Sequence, residues 1–326
     1  MSRFAALFVV VLFLSLLVAL FAHWQSTNTA SAGTPVSTGV TETDKLLAQV
    51  PLFTKDDPWR KDISKEPVDP RSDAIIANIG AAKALHPDFG PTAGIPFQFV
   101  DKNTPTVLTK FAYPDESDRG PYPIPDNPII EGGMDAPKDS DRHIICIDKD
   151  TWRLYELFAA IKNPDGWSAG SGALFDLTKI SVGQRKQGWT SCDAAGLPIF
   201  PGLVRYDEAA ITKKIEHAVR FTVRNSRHAY VSPATHYASA KTDPNLPPMG
   251  MRVRLKAGVD IAGYPEEDRV ILTAMKTYGM FVADNGGDWF VTGTPDPRWN
   301  DDHLNLLKKI KGGDFEVVLM KDVVTR

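Results

Sequence analysis

Prolines and glycines interrupt this chain so often that long regular elements are excluded over most of its length. The sequence contains 25 prolines and 24 glycines, with short runs of β-branched and aromatic residues between them. Such runs, bounded by turn-forming residues, are typical of strands. Because the predicted strands are many and short and the helices few, the pattern favours a mainly β fold. We expect a single β-sandwich or jelly-roll-like domain with short helical decorations.

Hydrophobic periodicity and turn residues place the individual elements along the chain. The predicted elements are a helix at 73–85, strands at 97–99 and 107–111, a hairpin of 143–147 with 152–158, strands at 172–177, 218–223, 229–231 and 251–255, a helix at 266–278, a hairpin of 279–283 with 288–292, a helix at 301–311 and a strand at 315–319. The second hairpin rests on the Asn-Gly dipeptide at 285–286, which favours a tight turn between neighbouring strands.

Residues 4–22 form an unbroken apolar run behind the single positive charge of Arg3. The Ala-Ser-Ala sequence at 30–32 follows, which is the small-x-small pattern that signal peptidase cleaves. The run is also long enough to cross a bilayer as an uncleaved anchor. Residues 1–32 are therefore predicted to be a signal peptide or a signal anchor. In both cases the rest of the chain is expected to work outside the cytoplasm, secreted, periplasmic or tethered to the membrane.

The sequence after residue 32 divides into two parts. Residues 33–72 are first small and polar and then rich in Asp, Lys and Pro, which predicts a polar tether followed by an extended wrap over the surface. Residues 73–326 are predicted to form the β domain. This domain is expected to meet a membrane only through residues 1–32, if that segment is uncleaved.

Charge and motif content exclude several functional classes. A net charge of −3 provides no basic surface for nucleic acid. The sequence has no phosphate-binding loop, no dinucleotide fingerprint and no zinc-protease motif, and its 7 histidines lack the spacing of metal ligands, so we expect neither a cofactor nor a metal. Cys146 and Cys192 are the 2 cysteines, and the sequence leaves open whether they pair or remain buried thiols.

Four acidic residues are candidate catalytic groups. Asp193 lies in a turn of small residues, where a carboxylate can face a cleft or make a local Asx turn. Glu156 shares the expected buried side of its strand with Leu154, which places a carboxylate on a sheet face unless the apolar side is assigned wrongly. Asp207 and Glu208 precede a helical stretch and serve either catalysis or the helix N-terminus.

Histidines and arginines provide bases and anion-binding groups. His217 shares the apolar side of its strand and is either a base or a hydrogen-bonded core residue, whereas His236 lies on a loop that suits function better. Arg220 lies opposite His217 on the same strand. Arg252 and Arg254 share one side of another strand, where they suit an anionic substrate or a solvated surface.

Aromatic rings next to acids suggest where a sugar would bind. Trp189 and Trp289 each lie beside glycine or an acidic residue, as do the ring platforms of exported sugar-binding proteins, although each also suits an ordinary core. Asp284 ends a predicted strand close to Trp289 and is a further substrate-binding candidate, with turn formation as the alternative.

The chain resembles a family of exported, largely uncharacterised bacterial proteins over roughly residues 68–318. The residues that carry the resemblance include GWTSCDAAGLPIFPGLVRYDE at 188–208 and YGMFVADNGGDWFVTGTPDPRW at 278–299. Further shared blocks lie at 115–125, 141–157, 217–223, 230–239 and 247–257. The family has no established activity, so the resemblance implies a single exported domain and assigns no catalytic residues.

These features together predict an exported carbohydrate-active protein, either a polysaccharide hydrolase or a lyase, acting on a polysaccharide or oligosaccharide. A hydrolase requires two carboxylates about 5–10 Å apart. A lyase requires a base such as His217 or His236, with arginines to neutralise a uronate. A non-catalytic glycan-binding protein and a structural protein of the cell envelope remain the alternatives.

Overall fold

The computed structural model describes residues 39–325, so the predicted segment at 1–32 lies outside the described residues. The described helices are α1 (Glu42–Leu47), α2 (Ser72–Ile79), α3 (Glu266–Thr277) and α4 (Asp301–Leu306), and short 3₁₀ or π turns join some elements. The strands are β1 (His86–Asp88), β2 (Gln98–Val100), β3 (Thr106–Val107), β4 (Thr109–Phe111), β5 (Tyr122–Pro123), β6 (Ile144–Asp148), β7 (Arg153–Phe158), β8 (Ile161–Asn163), β9 (Gly166–Ala169), β10 (Ser171–Asp176), β11 (Val219–Val223), β12 (Arg252–Leu255), β13 (Met280–Asn285), β14 (Phe290–Thr292) and β15 (Phe315–Val317).

The strands form curled mixed sheets, and the predicted mainly β class is confirmed by 23% strand against 18% helix. The largest sheet has six strands in the order β1-β14-β11-β13-β12-β15, and a second sheet has the order β10-β7-β6-β2. Two small sheets, β3-β5 and β4-β9-β8, complete the set in the described part of the chain. Both large sheets combine parallel and antiparallel neighbours.

The hairpin of β6 and β7 is confirmed. The two strands pair antiparallel from Ile144 opposite Leu157 to Asp148 opposite Arg153. At the turn, the Asp148 carboxylate accepts a hydrogen bond from the backbone N–H of Asp150 at 2.8 Å. The prediction that Glu156 shares the buried side of its strand with Leu154 is also correct, because both side chains are buried.

The predicted hairpin of 279–283 with 288–292 is wrong, because β11 lies between its two strands. β11 pairs parallel with β13 and antiparallel with β14. The segment after β13 closes over the end of β11, where Gly286 N–H binds the carbonyl of Val223 at 3.0 Å and Trp289 N–H binds that of Thr222 at 3.2 Å. An Asn-Gly turn signal is local and does not show whether a third strand separates the two that it joins.

The predicted wrap at 51–70 contributes to the core rather than only to the surface. Trp59 is fully buried, and its ring meets the edge of Phe281 in the six-stranded sheet at 4.9 Å between centroids. The helix predicted at 73–85 ends at Ile79, because Gly80 has a φ of 116°, which ends the helical conformation. The sequence after Gly80 then enters β1, a strand that was not predicted.

Two further expectations concern cysteines and membranes. Cys146 and Cys192 are both free and buried, so the buried-thiol alternative holds. Within residues 39–325, none of the helices has the length and apolar character that crossing a bilayer requires.

Trp289 lies at the centre of the core, with its ring stacked on Phe221 and on Phe315 at centroid distances of 5.4 and 5.1 Å. Its exposure is 0%, and its indole N–H donates to the carbonyl of Gly80 at 3.1 Å. We expect Trp289→Ala to lower the free energy of unfolding by about 3–5 kcal/mol, because the cavity removes most of these contacts. Urea unfolding of the purified protein measures this. Leu108→Ala, at a residue that is 76% exposed, should change it by about 0.5 kcal/mol at most.

Candidate functional site

One face of the six-stranded sheet carries a row of polar side chains across three strands. Asp88 in β1 is opposite Thr292 in β14, and the Thr292 hydroxyl accepts a hydrogen bond from Nη1 of Arg220 in β11 at 2.6 Å. Two residues before Asp88, the ring of His86 stacks on that of Phe290 at 3.9 Å. Because paired residues on neighbouring strands share a face, these side chains all project to the same side of the sheet.

A β-bulge in β13 adds Asp284 to this face. Phe221 is opposite Val282, but the next residue, Thr222, is opposite Asp284, so Ala283 is an extra residue. Side chains alternate along a strand, and one extra residue therefore reverses the direction of the side chains that follow. Asp284 consequently shares the face of Thr222, and of Arg220 two residues before it, instead of that of Val282.

The small-residue turn after β10 rests on this bulge. Ala195 N–H donates to the carbonyl of Ala283 at 2.9 Å, and Ala194 N–H approaches the Asp284 carboxylate at 3.4 Å. Gly196 has a φ of 75°, and a Cβ there would lie 2.6 Å from the carbonyl oxygen of Trp189. Only glycine fits that position, so the sequence of small residues allows the close approach of loop and sheet.

Asp193 enters the sheet face from this turn and forms a two-pronged ion pair with Arg220. Nε and Nη2 of Arg220 lie 3.1 and 2.8 Å from the two carboxylate oxygens. Asp193 is fully buried, and burial raises the pKa of its carboxyl to about 7 although Arg220 lowers it. The predicted carboxylate is therefore enclosed in the interior, where it holds Arg220 in place.

Asp284 differs from Asp193 because solvent reaches it. Its side chain is half-buried. Burial raises the pKa of its carboxyl, and the charge of Arg220 lowers this pKa by a smaller amount. Asp284 therefore lies at the boundary between the protein interior and solvent. The Asp284 carboxylate also accepts a hydrogen bond from the backbone N–H of Asn285 at 2.6 Å, which fixes its orientation.

Glu131 and His143, to which the sequence assigned no role, lie close enough to Arg220 for its charge to act on both. His143 Nδ1 lies 2.5 Å from the Glu131 carboxylate, and Nε2 lies 3.2 Å from the carbonyl oxygen of Cys192. Burial lowers the pKa of His143, but the hydrogen bond to Glu131 and the charges of Glu131 and Asp141 together outweigh this and raise it. Since both partners are acceptors, both ring nitrogens carry a proton. Neither residue belongs to a recognisable motif, so no sequence signal identified this pair.

Glu156 supports the site from below rather than facing the cleft. Its exposure is 0%, and its carboxylate accepts the backbone N–H of Ile199 at 2.9 Å and that of Phe200 at 3.0 Å. These N–H groups begin the 3₁₀ turn Phe200–Gly202. The catalytic role predicted for Glu156 is therefore not supported by its position, because its oxygens are occupied by the main chain.

Asp207, Glu208 and His217 form a separate network around Arg205. Nε of Arg205 lies 3.1 Å from Asp207, and Nη2 lies 2.8 Å from Glu208. The second Glu208 oxygen lies 3.0 Å from His217 Nε2, and Nδ1 of this ring lies 2.7 Å from the carbonyl of Ala218. The structure thus groups these three predicted catalytic residues, but it uses them to pair a buried arginine, away from the Asp193–Arg220 pair.

His236 and Trp189 lie beside the small-residue turn after β10. His236 Nδ1 is 2.9 Å from the carbonyl of Ala194, in the turn that also contacts Asp284. The Trp189 carbonyl accepts the Thr235 hydroxyl at 2.8 Å, and both predicted residues are half-buried.

Three predicted substrate-binding residues are elsewhere. Arg252 donates to the carbonyls of Tyr278, Pro58 and Lys61, at 2.7, 2.9 and 2.9 Å. Arg254 binds the Glu316 carboxylate at 2.7 Å. Trp289 is part of the core. The expectation that these side chains bind substrate is corrected, because main-chain, carboxylate or core contacts already occupy them.

Comparisons with protein-family models, curated proteins and solved structures found no match. The chemistry of the cleft therefore has to follow from its own geometry.

The buried Glu156 makes stability depend on pH. Burial raises the pKa of its carboxyl from 4.5 to about 7 in the folded protein, and the hydrogen bonds from Phe200 and Ile199 oppose this. Between these values the folded state holds a proton that the unfolded state has lost, so stability falls as pH rises. Glu156→Gln keeps an oxygen for both N–H donors and has no proton to lose. We expect the variant to gain about 3 kcal/mol over the parent between pH 4.5 and 7.

Urea unfolding of both proteins across this pH range measures the difference. If the free energies of unfolding of the variant and the parent changed with pH in the same way, this titration would not belong to Glu156.

Proposed function

We propose that the chain is an exported carbohydrate-active enzyme that hydrolyses glycosidic bonds in a neutral polysaccharide or oligosaccharide. The observation that carries this proposal is the β-bulge at Ala283. It turns Asp284 onto the same sheet face as Asp88, with Arg220 between them. Two carboxylates on opposite sides of a polar cleft are what hydrolysis of a glycoside requires.

The roles follow from the surroundings of each carboxyl group. Asp284 is the general acid, because burial raises the pKa of its carboxyl and keeps the proton available to the leaving oxygen. Asp88 is the base that activates water, since it is the more exposed of the two carboxylates. Partial burial raises the pKa of its carboxyl too, and His86 and Arg220 lower it. Asp193 is the positioning residue that holds Arg220 between them.

The spacing of the strands favours an inverting mechanism. Three strand intervals, of about 4.8 Å each, separate the backbones of β1 and β13. The total is about 14 Å, so the two side chains have to lean toward each other over Arg220 to bring their carboxyl groups to the separation of about 6.5–9.5 Å found in inverting enzymes. Retaining enzymes need their carboxyl groups at about 5 Å, which two side chains so far apart on a sheet do not reach.

The charges of the cleft favour a neutral substrate over a uronate. Arg252 and Arg254 bind carbonyls and Glu316, and Arg220 is neutralised by Asp193. The carboxylates of Asp88, which is exposed, and Asp284, which is half-buried, are left without a paired cation among residues 39–325 and would repel an acidic sugar. Of the two bases considered for a lyase, His217 is paired with Glu208 and His236 binds the carbonyl of Ala194.

Ring systems at both ends of the cleft support a carbohydrate ligand. The His86 and Phe290 rings stack beside Asp88, and the half-buried ring of Tyr237 stacks on His236 at 5.3 Å near the Asp284 side. Rings next to carboxylates suit the apolar and polar faces of a sugar. We propose that the six- and four-stranded sheets enclose this cleft as a sandwich-like pair.

Hydrolysis is tested with the purified protein on a panel of neutral and uronic polysaccharides. We expect reducing ends to be released from a neutral polymer, and Asp284→Asn and Asp88→Asn each to lower kcat at least about 100-fold, as loss of an acid or base does. Asp165→Asn, at a side chain that is 69% exposed, is the matched control and should leave kcat unchanged. Binding without release by the parent would instead indicate a glycan-binding protein.

The anomeric form of the first product, followed by NMR, tests the assigned pair. Inversion is expected. Retention would contradict the role of Asp88, because the base of an inverting enzyme acts on water and forms no covalent intermediate.

The pH profile of kcat/KM tests the acid. Asp284 must be protonated to act, so we expect activity to fall as pH rises through its pKa, which burial places above the ordinary value of 3.8. If activity instead increased steadily as pH rose above 3.8, Asp284 would act as a base.

A further inference from the structure

Next to the proposed catalytic cleft, Glu131, Asp141 and His143 bring three metal-binding atoms together. One ligand atom from each lies within 4.8 Å of the other two. His143 is buried, Glu131 is partly exposed and Asp141 is exposed, so the group is open to solvent on one side. The backbone contributes to this proximity, because Glu131 N–H donates to the carbonyl of His143 at 3.0 Å.

The His143 ring is oriented as a metal ligand would be. Its Nε2 donates to the Cys192 carbonyl at 3.2 Å, and a carbonyl can only accept, so the Nε2 proton is fixed. The remaining nitrogen, Nδ1, faces Glu131 at 2.5 Å. Metal-binding histidines commonly hold their second N–H on a carbonyl in this way, which fixes the ring. The Nδ1 proton that Glu131 now accepts would be released when the ion takes its place.

Arg142 stabilises the conformation of the loop between Glu131 and Asp141. Its side chain donates to the carbonyls of Ala136 at 2.6 Å, Met134 at 3.2 Å and Ala160 at 3.0 Å. The first two lie between Glu131 and Asp141 in the chain, so both ends of the loop are fixed relative to each other. A group of ligands held in this way loses little conformational freedom when an ion binds.

We propose that Glu131, Asp141 and His143 bind a zinc ion, with water in the fourth position. One imidazole nitrogen and two carboxylate oxygens suit zinc better than the all-oxygen coordination that Mg²⁺ and Ca²⁺ prefer. Two carboxylates also balance the charge of the ion. The ligand atoms of a tetrahedral zinc site lie about 3.3 Å apart, so atoms now within 4.8 Å need only small side-chain movements.

This site goes beyond the proposed hydrolysis and does not depend on it. Asp88 and Asp284, the proposed base and acid, are not ligands, and Asp141 and His143 have no part in the hydrolysis. Zinc binding and glycan hydrolysis can therefore succeed or fail separately.

Isothermal titration of zinc chloride into the chelator-treated full chain tests the site. We expect one tight zinc ion per chain, and Asp141→Asn and Glu131→Gln each to weaken binding at least about tenfold. His143→Ala should abolish tight binding. Asp139→Asn changes an exposed acid on the same loop outside the group, and it should leave the affinity unchanged.

The exposed Asp141 keeps the test decisive, because its substitution by Asn does not disturb the core. Circular dichroism of each variant confirms the fold. Zinc affinity unchanged in Asp141→Asn, or the absence of a tight ion in the parent protein, would overturn the proposal. Replacement of zinc by cobalt gives a second readout, since a tetrahedral site produces strong visible absorption that Asp139→Asn keeps and Asp141→Asn loses.

Discussion

The buried ion pair between Asp193 and Arg220 joins the turn after β10 to the face of the six-stranded sheet. Two N–H groups of the guanidinium bind both carboxylate oxygens, and a third binds the Thr292 hydroxyl. Removing either charge from water alone costs several kcal/mol, so each is stable in the interior only while the other is present. Three chain segments that are distant in sequence therefore keep fixed positions around the cleft, and the orientation of Asp284 depends on them.

Buried polar residues in this protein have two distinct uses. Glu156 and Arg252 hold main-chain groups, which satisfies their hydrogen bonds and keeps neighbouring segments in place. Asp284 and Glu131 instead keep part of their surface accessible: the Glu131 side chain is 25% exposed. Residue type does not separate the two groups. Solvent access does, because Glu156 is enclosed with its backbone donors, whereas Asp284 accepts the N–H of Asn285 and still reaches solvent.

Part of the site was predictable from the sequence. Asp193, Arg220 and Asp284 were each identified from their position in a turn or on a strand, and the structure brings these three together. Asp88 and Glu131 were missed, because a three-residue strand and a loop without a motif give no periodic signal. Asp207 and His217 were also identified, but Asp207 pairs with Arg205 and His217 with Glu208. The sequence does not show which charge a side chain will meet.

The sequence by itself determined the mainly β class, most element positions and the small-residue turn around Asp193, because these depend on local periodicity and backbone freedom. Only the tertiary structure decided that β11 separates β13 from β14 and that Ala283 forms a bulge. Both depend on contacts between residues far apart in the chain, which local patterns do not encode. The cleft arises from those two features, so the direction of Asp284 is a property of the folded sheet and not of its neighbours in sequence.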